Sequence, residues 1–385
     1  MEKQIAVQPT TDVWYAATQE DTVDAAVSEL QSSFGARNIS LLLIFFSPSY
    51  DATKLARALA NTFSPVPVIG CTTAGEISPE GLAEGSIVAV GFSTETFAFA
   101  PRLIQRLDRL SVPDVGTVVR DAMHALDRRV GSLGKADTFA IMLADGLSRK
   151  EDQLAAAFYE ALRGAPLVGG SSADHLTFDQ TRLIYNGRVY EDAAVLIVAR
   201  TQLPFCAFSS DHYLPTPLRL VVTSADSDKR LVYELNAAPA VKEYAAAMET
   251  PCNQLTVASF AEHPLAVRVG DEFFVRAIRG VERGGALSFM SAVDEGVVFT
   301  IVEAGDLIAS AESLFEDIRR QINQPQMILG FECLFRRLEI EQSQKKHAVE
   351  KIYMANNLVG FHTYGEQFRA MHLNQTLTGL AIGPR

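Results

Sequence analysis

From Asp21 onward the chain alternates short apolar blocks with amphipathic stretches. Asp21 to Phe34 places Val23, Ala26, Val27 and Leu30 at helical spacing, and Ser40 to Phe46 is a continuous apolar run that predicts a buried strand. Asp51 is placed to cap a second helix with Leu55 and Leu59 inward, which leads through PVPVIGCTTAGEIS to a strand over Ser86 to Phe92. The same series then recurs. Thr138 to Leu143 reads as a strand, Ser148 and Glu151 as a capping box, Leu154, Phe158 and Leu162 as a helical stripe, and APLVGGSSADH precedes a strand over Ala193 to Ala199. Pro67 and Pro166 occupy equivalent places 99 residues apart. Residues 1–203 are therefore expected to form a domain of two duplicated strand–helix–loop–strand halves about a pseudo-twofold axis. A cleft between the halves would be lined by Cys71, Thr72, Thr73, Gly170, Ser171 and Ser172, whose hydroxyls and backbone donors suit a small polar ligand; the alternative is that these groups serve only their own turns.

Pro204, Pro215 and Pro217 interrupt all periodicity, so 204–219 reads as a linker and 220–385 as a second domain. A helix over Ala238 to Met248 precedes strands near Leu265 to Val269, Glu272 to Ile278, Gly285 to Met290 and Val297 to Val302. Ala309 to Gln321 is helical again. In MILGFECLFRRLEI, apolar Leu329, Phe331, Cys333 and Phe335 alternate with Glu332 and Arg336, predicting one strand from Met327 to Ile340. A polar helix over Glu341 to Asn357 and a glycine-containing strand over Leu358 to Phe368 follow. The fold class is mixed α/β and α+β, with antiparallel strands in the C-terminal domain.

A chain of 385 residues with 48% apolar and 21% charged residues is globular, and its net charge of −12 argues against nucleic acid or an anionic membrane as partner. The longest apolar run, Leu41 to Phe46, is far too short to span a bilayer, and MEKQIAVQPTTD has no basic segment followed by an apolar core, so a cytoplasmic protein without a signal peptide is expected. The four cysteines form no CxxC pair. Cys71 is the nucleophile candidate, with His175 as a base, but Glu76 would oppose its thiolate and the second copy carries Gly170 instead; no enzyme is expected.

GFHTYGEQF and MHLNQTLTGLAIG, with VIGCTTAGEIS and VGGSSADH, resemble the FIST family of sensory proteins, and within it are similar to the bacterial haem-binding nitric-oxide-sensing proteins. That resemblance implies a haem b cofactor whose axial ligand is His372, or alternatively His362. Phe361, Tyr364 and Phe368 could then pack on the porphyrin, Arg336, Arg337 or Arg369 pair with its propionates and Glu366 orient an imidazole; the alternative places the aromatics in a strand-packed core and the arginines in solvent. It further implies nitric oxide as the stimulus, a sensor histidine kinase as the partner, and leaves room for a homodimer. The competing reading is a haem-free sensor of a small polar metabolite, such as an amino acid, held between the duplicated glycine loops.

Overall fold

The computed structural model describes residues 11–109, 111–130 and 138–385; the first ten residues, whose composition was read against a signal peptide, lie outside them. The first repeat runs β1 (Val13–Thr18), α1 (Val23–Phe34), β2 (Ile39–Phe46), α2 (Ala52–Thr62), β3 (Val68–Thr72), a hairpin of β4 (Glu76–Ser78) and β5 (Gly81–Ala83), and β6 (Ile87–Ser93). The second follows the same order: β7 (Phe97–Gln105), α3 (Val112–Val130), β8 (Thr138–Ala144), α4 (Glu151–Leu162), β9 (Leu167–Ser171), the hairpin β10 (Leu183–Tyr185) and β11 (Arg188–Tyr190), and β12 (Ala193–Thr201). Thr22 and Asp51 cap α1 and α2 by accepting backbone N–H bonds, as helix starts require. The expected capping box at α4 is absent. Lys150 stands at its N-cap without a side-chain bond, and Glu151 turns to Arg230 instead, at 2.6 Å.

A third repeat completes the architecture, where the sequence had suggested only two. It opens with β13 (Phe205–Ser210), inside the stretch expected to be a linker. An insert follows, holding β14 (Tyr213–Asp226), β15 (Leu231–Leu235), β16 (Ala238–Pro239), α5 (Ala240–Ala247), α6 (Val257–Glu262), β17 (Leu265–Val269), β18 (Glu272–Arg276), β19 (Ile278–Val281), β20 (Leu287–Phe289) and β21 (Val298–Ala304). The repeat then resumes with α7 (Leu307–Ile322), β22 (Met327–Cys333), α8 (Leu334–Gln342), α9 (Lys346–Ala355), β23 (Leu358–Thr363), the hairpin β24 (Glu366–Phe368) and β25 (Met371–Leu373), and β26 (Leu377–Ile382). The single strand expected over Met327 to Ile340 thus ends at Cys333. Beyond it Leu334, Phe335, Arg336, Arg337 and Ile340 are all buried on a helix, and burial on several faces mimicked alternation.

Each repeat builds the core of one six-stranded sheet and lends its hairpin to another. The orders are β1-β6-β2-β3-β10-β11, β7-β12-β8-β9-β24-β25 and β13-β26-β22-β23-β4-β5, so the hairpins pass cyclically around the three sheets. In each, one parallel pair (β2 with β3, β8 with β9, β22 with β23) lies beside antiparallel neighbours. The inner faces meet in one apolar core to which all three repeats contribute, including Phe45, Phe139 and Phe361. Phe45 stacks on Phe361 at 4.6 Å. Helices cover the outer faces, α1 and α2 on the first sheet, α3 and α4 on the second, α7 and α9 on the third. The insert forms its own antiparallel sheet, β18-β17-β21-β14-β15-β20-β19, around a separate core with Tyr244 and Phe299.

Candidate ligand-binding site

The loops after β3, β9 and β23 meet where the three repeats converge, at the carboxyl ends of their parallel strands, the place where α/β sheets bind ligands. They bond mainly to one another: Ala173 N donates to Thr72 O at 2.9 Å, Ala74 N to His362 O at 2.9 Å and Ser171 N to Gly365 O at 2.9 Å. The cleft expected between two duplicated loops is accordingly filled by the third. Cys71 is fully buried in the central core, where burial pushes its thiol well above its ordinary value, and Gly170 faces Phe331 and Phe361. Thr72 Oγ1 accepts from Arg182 N at 3.0 Å, Thr73 Oγ1 donates to Glu76, Ser171 Oγ accepts from Gln367 Nε2 at 2.9 Å and Ser172 Oγ from Gly146 N at 3.3 Å. Only Thr73 serves its own loop; the other three hydroxyls are taken by neighbouring segments, two of them from other repeats.

The residues expected around a haem lie in separate places. His362 pairs with Glu332 across β22 and β23, its Nδ1 3.5 Å from the carboxylate, and burial holds its pKa well below the ordinary value. Arg336 is fully buried and committed to Glu332 at 2.8 Å and to His212 Nδ1 at 3.0 Å. Arg337 donates to Ala74 O and pairs with Glu84 and Glu341. Phe361 belongs to the central core. Tyr364 donates to Asp174, accepts from Phe178 N at 3.2 Å and stacks on Phe178 at 4.5 Å. Phe368 and Arg369, stacked at 5.1 Å, line an open cleft of about 500 Å³ whose wall also carries Asp211, Glu272 and Asp317, carboxylates that would repel propionates. His372 neighbours Met371 in that cleft but points to the opposite side of its strand. There it is 1% exposed, burial lowers its pKa, Nδ1 meets Gln367 Nε2 at 3.2 Å, and Nε2 has no hydrogen-bond partner among the described residues. A Cβ on Gly365 would sit 2.5 Å from that Nε2, so peptide backbone covers the ring nitrogen that has no partner, while Nδ1 accepts from Gln367. Packed in this way, these residues do not fit a haem.

They do hold the insert. Asn374 Oδ1 accepts from Ser291 Oγ at 2.5 Å and Ala277 N at 3.3 Å, Gln375 Nε2 donates to Ala261 O at 3.3 Å, and Arg276 Nη1 donates to His372 O at 3.3 Å. Residues 363–376 therefore weld the third hairpin to the second repeat and to the insert together. Beside this weld is a cavity of about 170 Å³. The loop leaving β8 supplies Gly146, Leu147 and Arg149, and Phe178 closes one side; the insert supplies Arg230, Arg279, Phe289 and Met290. Arg230 bridges the two bodies, donating to Glu151 at 2.6 Å, Asp152 at 3.0 Å and Met290 O at 2.5 Å. None of these cavity residues was marked by sequence pattern. Only the position after an apolar strand, at 145–150, could have pointed to them.

Residues 40–238 match the family model described as FIST N domain, and residues 237–369 that described as FIST C domain. The chain belongs to the FIST family. FIST domains are sensor domains of signal transduction. The boundary between the two matches falls inside the insert, at β16, so the two family segments do not coincide with the three repeats. This FIST protein is also 22% identical over 384 residues to an uncharacterized protein of Methanocaldococcus jannaschii, an alignment covering 88% of this chain and 73% of that one. Among the described residues, no helix is long and apolar enough to cross a membrane.

Proposed function

We propose that this FIST protein is a sensor whose stimulus is a small polar molecule held in the cavity between the second repeat and the insert, and whose output is a change in how the insert sits on the three-repeat core. The supporting observation is that cavity: it lies over the carboxyl end of β8 and both bodies wall it. A molecule touching both bodies shifts their equilibrium by its differential affinity for the closed state, and Arg230 with Glu151 and Asp152 is the tie it would reinforce. A separate signalling protein reads the change; a sensor histidine kinase is the partner the family resemblance implies. Haem and nitric oxide draw their support from that resemblance alone.

Two outcomes follow. Thermal unfolding against a panel of amino acids, organic acids, amides and polyols should reveal a compound that, at a hundredfold excess over its Kd, stabilises the fold by about 2.7 kcal/mol. Leu147→Trp, which fills the cavity, should abolish that stabilisation. A panel without effect, or a shift that survives Leu147→Trp, would remove the cavity reading. Haem added to the purified protein should show only the spectrum of free haem; a sharp Soret band that moves with nitric oxide, and is lost in His372→Ala, would restore haem sensing.

A further inference from the structure

The walls of the same cavity specify more than a polar guest. Leu147, Phe178, Phe289 and Met290 make much of the lining apolar, while every charged group facing it is a guanidinium. Arg230 is 5% exposed. Its Nη1 and Nη2 are committed to Met290 O, Glu151 and Asp152, and its Nε has no hydrogen-bond partner among the described residues. An anionic oxygen is the strongest acceptor for a guanidinium N–H. Arg279 pairs with Glu282 at 3.1 Å on the rim, and Arg149 makes no hydrogen bond or ion pair among the described residues. The backbone donors nearby are taken, Gly146 N by Ser172 Oγ and Leu147 N by Asp145 at 3.0 Å. Recognition of an anion therefore falls to side chains, chiefly Arg149 and Arg279, since Arg230 Nε is itself enclosed by protein.

Resting on the cavity reading above, we infer that the ligand is a small monocarboxylate with one aromatic or branched apolar body. About 170 Å³ corresponds to roughly six water volumes, enough for one ring or branched chain and too little for a nucleotide or a porphyrin. Glu151 and Asp152 hold Arg230 and Glu282 holds Arg279, which leaves Arg149 as the cavity guanidinium without an ion pair among the described residues, and a single carboxylate suits it. The carboxylate takes the Arg149 fork with Arg279 beside it, Arg230 lends its charge from behind, and the body lies between Phe178 and Phe289.

The test is thermal unfolding and titration calorimetry of the full chain with benzoate and phenylacetate, beside their neutral amides and phenyl phosphate. The carboxylates should raise the melting temperature and the amides should not. The double variant Arg149→Met with Arg279→Met, both on the cavity rim, should unfold at the temperature of the unliganded parent and raise the Kd roughly 10- to 100-fold. Leu147→Trp should remove the effect altogether. Equal binding of the amides, an unchanged Kd in the double variant, tighter binding of phenyl phosphate, or no binding by any probe would each overturn the carboxylate assignment. If amides bind and lose their effect in Leu147→Trp, the cavity keeps its sensing role and only the carboxylate falls; binding that survives Leu147→Trp removes both.

Discussion

Gly360→Ala should yield little or no folded protein, a loss above about 4 kcal/mol in a domain whose total stability is about 5–15 kcal/mol. Gly360 pairs with Gly330 across the parallel β22–β23 ladder, and a Cβ at Gly360 would fall on the Gly330 carbonyl oxygen. The obstructing atom is backbone, held on its far side by β26, so no rotamer change relieves it. The first and second repeats carry the same device: Gly70 faces the Ile44 carbonyl and Gly169 that of Met142, each its direct partner in the parallel pair. Gly70→Ala and Gly169→Ala should therefore fail in the same way. Gly116→Ala is the opposite case. It lies within α3, with only the tip of Arg120 at 3.4 Å from the new methyl group, and should gain up to about 1 kcal/mol from helix propensity. Denaturant unfolding of the soluble fraction reads all four. A Gly360→Ala protein with the parental midpoint would show that the strands can part without cost.

Those three glycines also show why two repeats were legible and the third was not. Gly169 follows Gly70 by 99 residues, but Gly360 follows Gly169 by 191, and the 92-residue difference is the length of the insert Tyr213–Ala304. A fixed period cannot be found across such an interruption. The loop residues had also diverged: Cys71, Gly170 and Phe361 are equivalent, as are Thr72, Ser171 and His362, because each packs against a different neighbour in the closed ring. Individual elements were readable where one physical rule decided them, as with the Asp51 cap of α2 or the continuous apolar run of β2. The supposed linker misled because its prolines flank strands or mark irregularity within one. Pro204 precedes β13, and Pro215 sits where the β14 ladder with β21 shifts register before Arg219, a position at which a missing N–H breaks no regular bond. The cavity was illegible for a simpler reason. Arg149 comes from the second repeat and Arg230 and Arg279 from the insert, and no local pattern links residues brought together only by docking of two bodies.

The second large effect is on pH. Between pH 6.5 and 8.5 the protein should lose on the order of 3 kcal/mol of stability, and Glu76→Gln with Glu366→Gln should remove most of that loss. The two glutamates are equivalent in the first and third repeats, where each heads a hairpin strand and pairs with Ala83 or Leu373. Burial pushes Glu76 up to about 7, against the hydrogen bonds of Ser86 and Thr73, and Glu366 up to about 8, against those of Thr363 and Thr376. Both native values lie above the ordinary value of 4.5, so the folded state holds these protons more tightly than the unfolded chain. Their contribution is complete at low pH and disappears as pH rises through 7 and 8. The buried histidines act elsewhere: His362 and His372 are held below 6.5, so they weaken the fold only as pH falls beneath that value. Asp174 opposes the glutamates in sign but only in acid: burial raises its pKa, the bonds from Tyr364, Gln180, Thr177 and Asp179 outweigh that, and the net shift is downward. The second repeat supplies an internal control, since Leu183 stands at the equivalent hairpin position and tolerates full burial without a proton. Urea midpoints measured at half-unit intervals decide the matter: a flat profile from pH 6.5 to 8.5, or an unchanged slope in the double Gln variant, would show that these carboxyls ionise freely in the folded state.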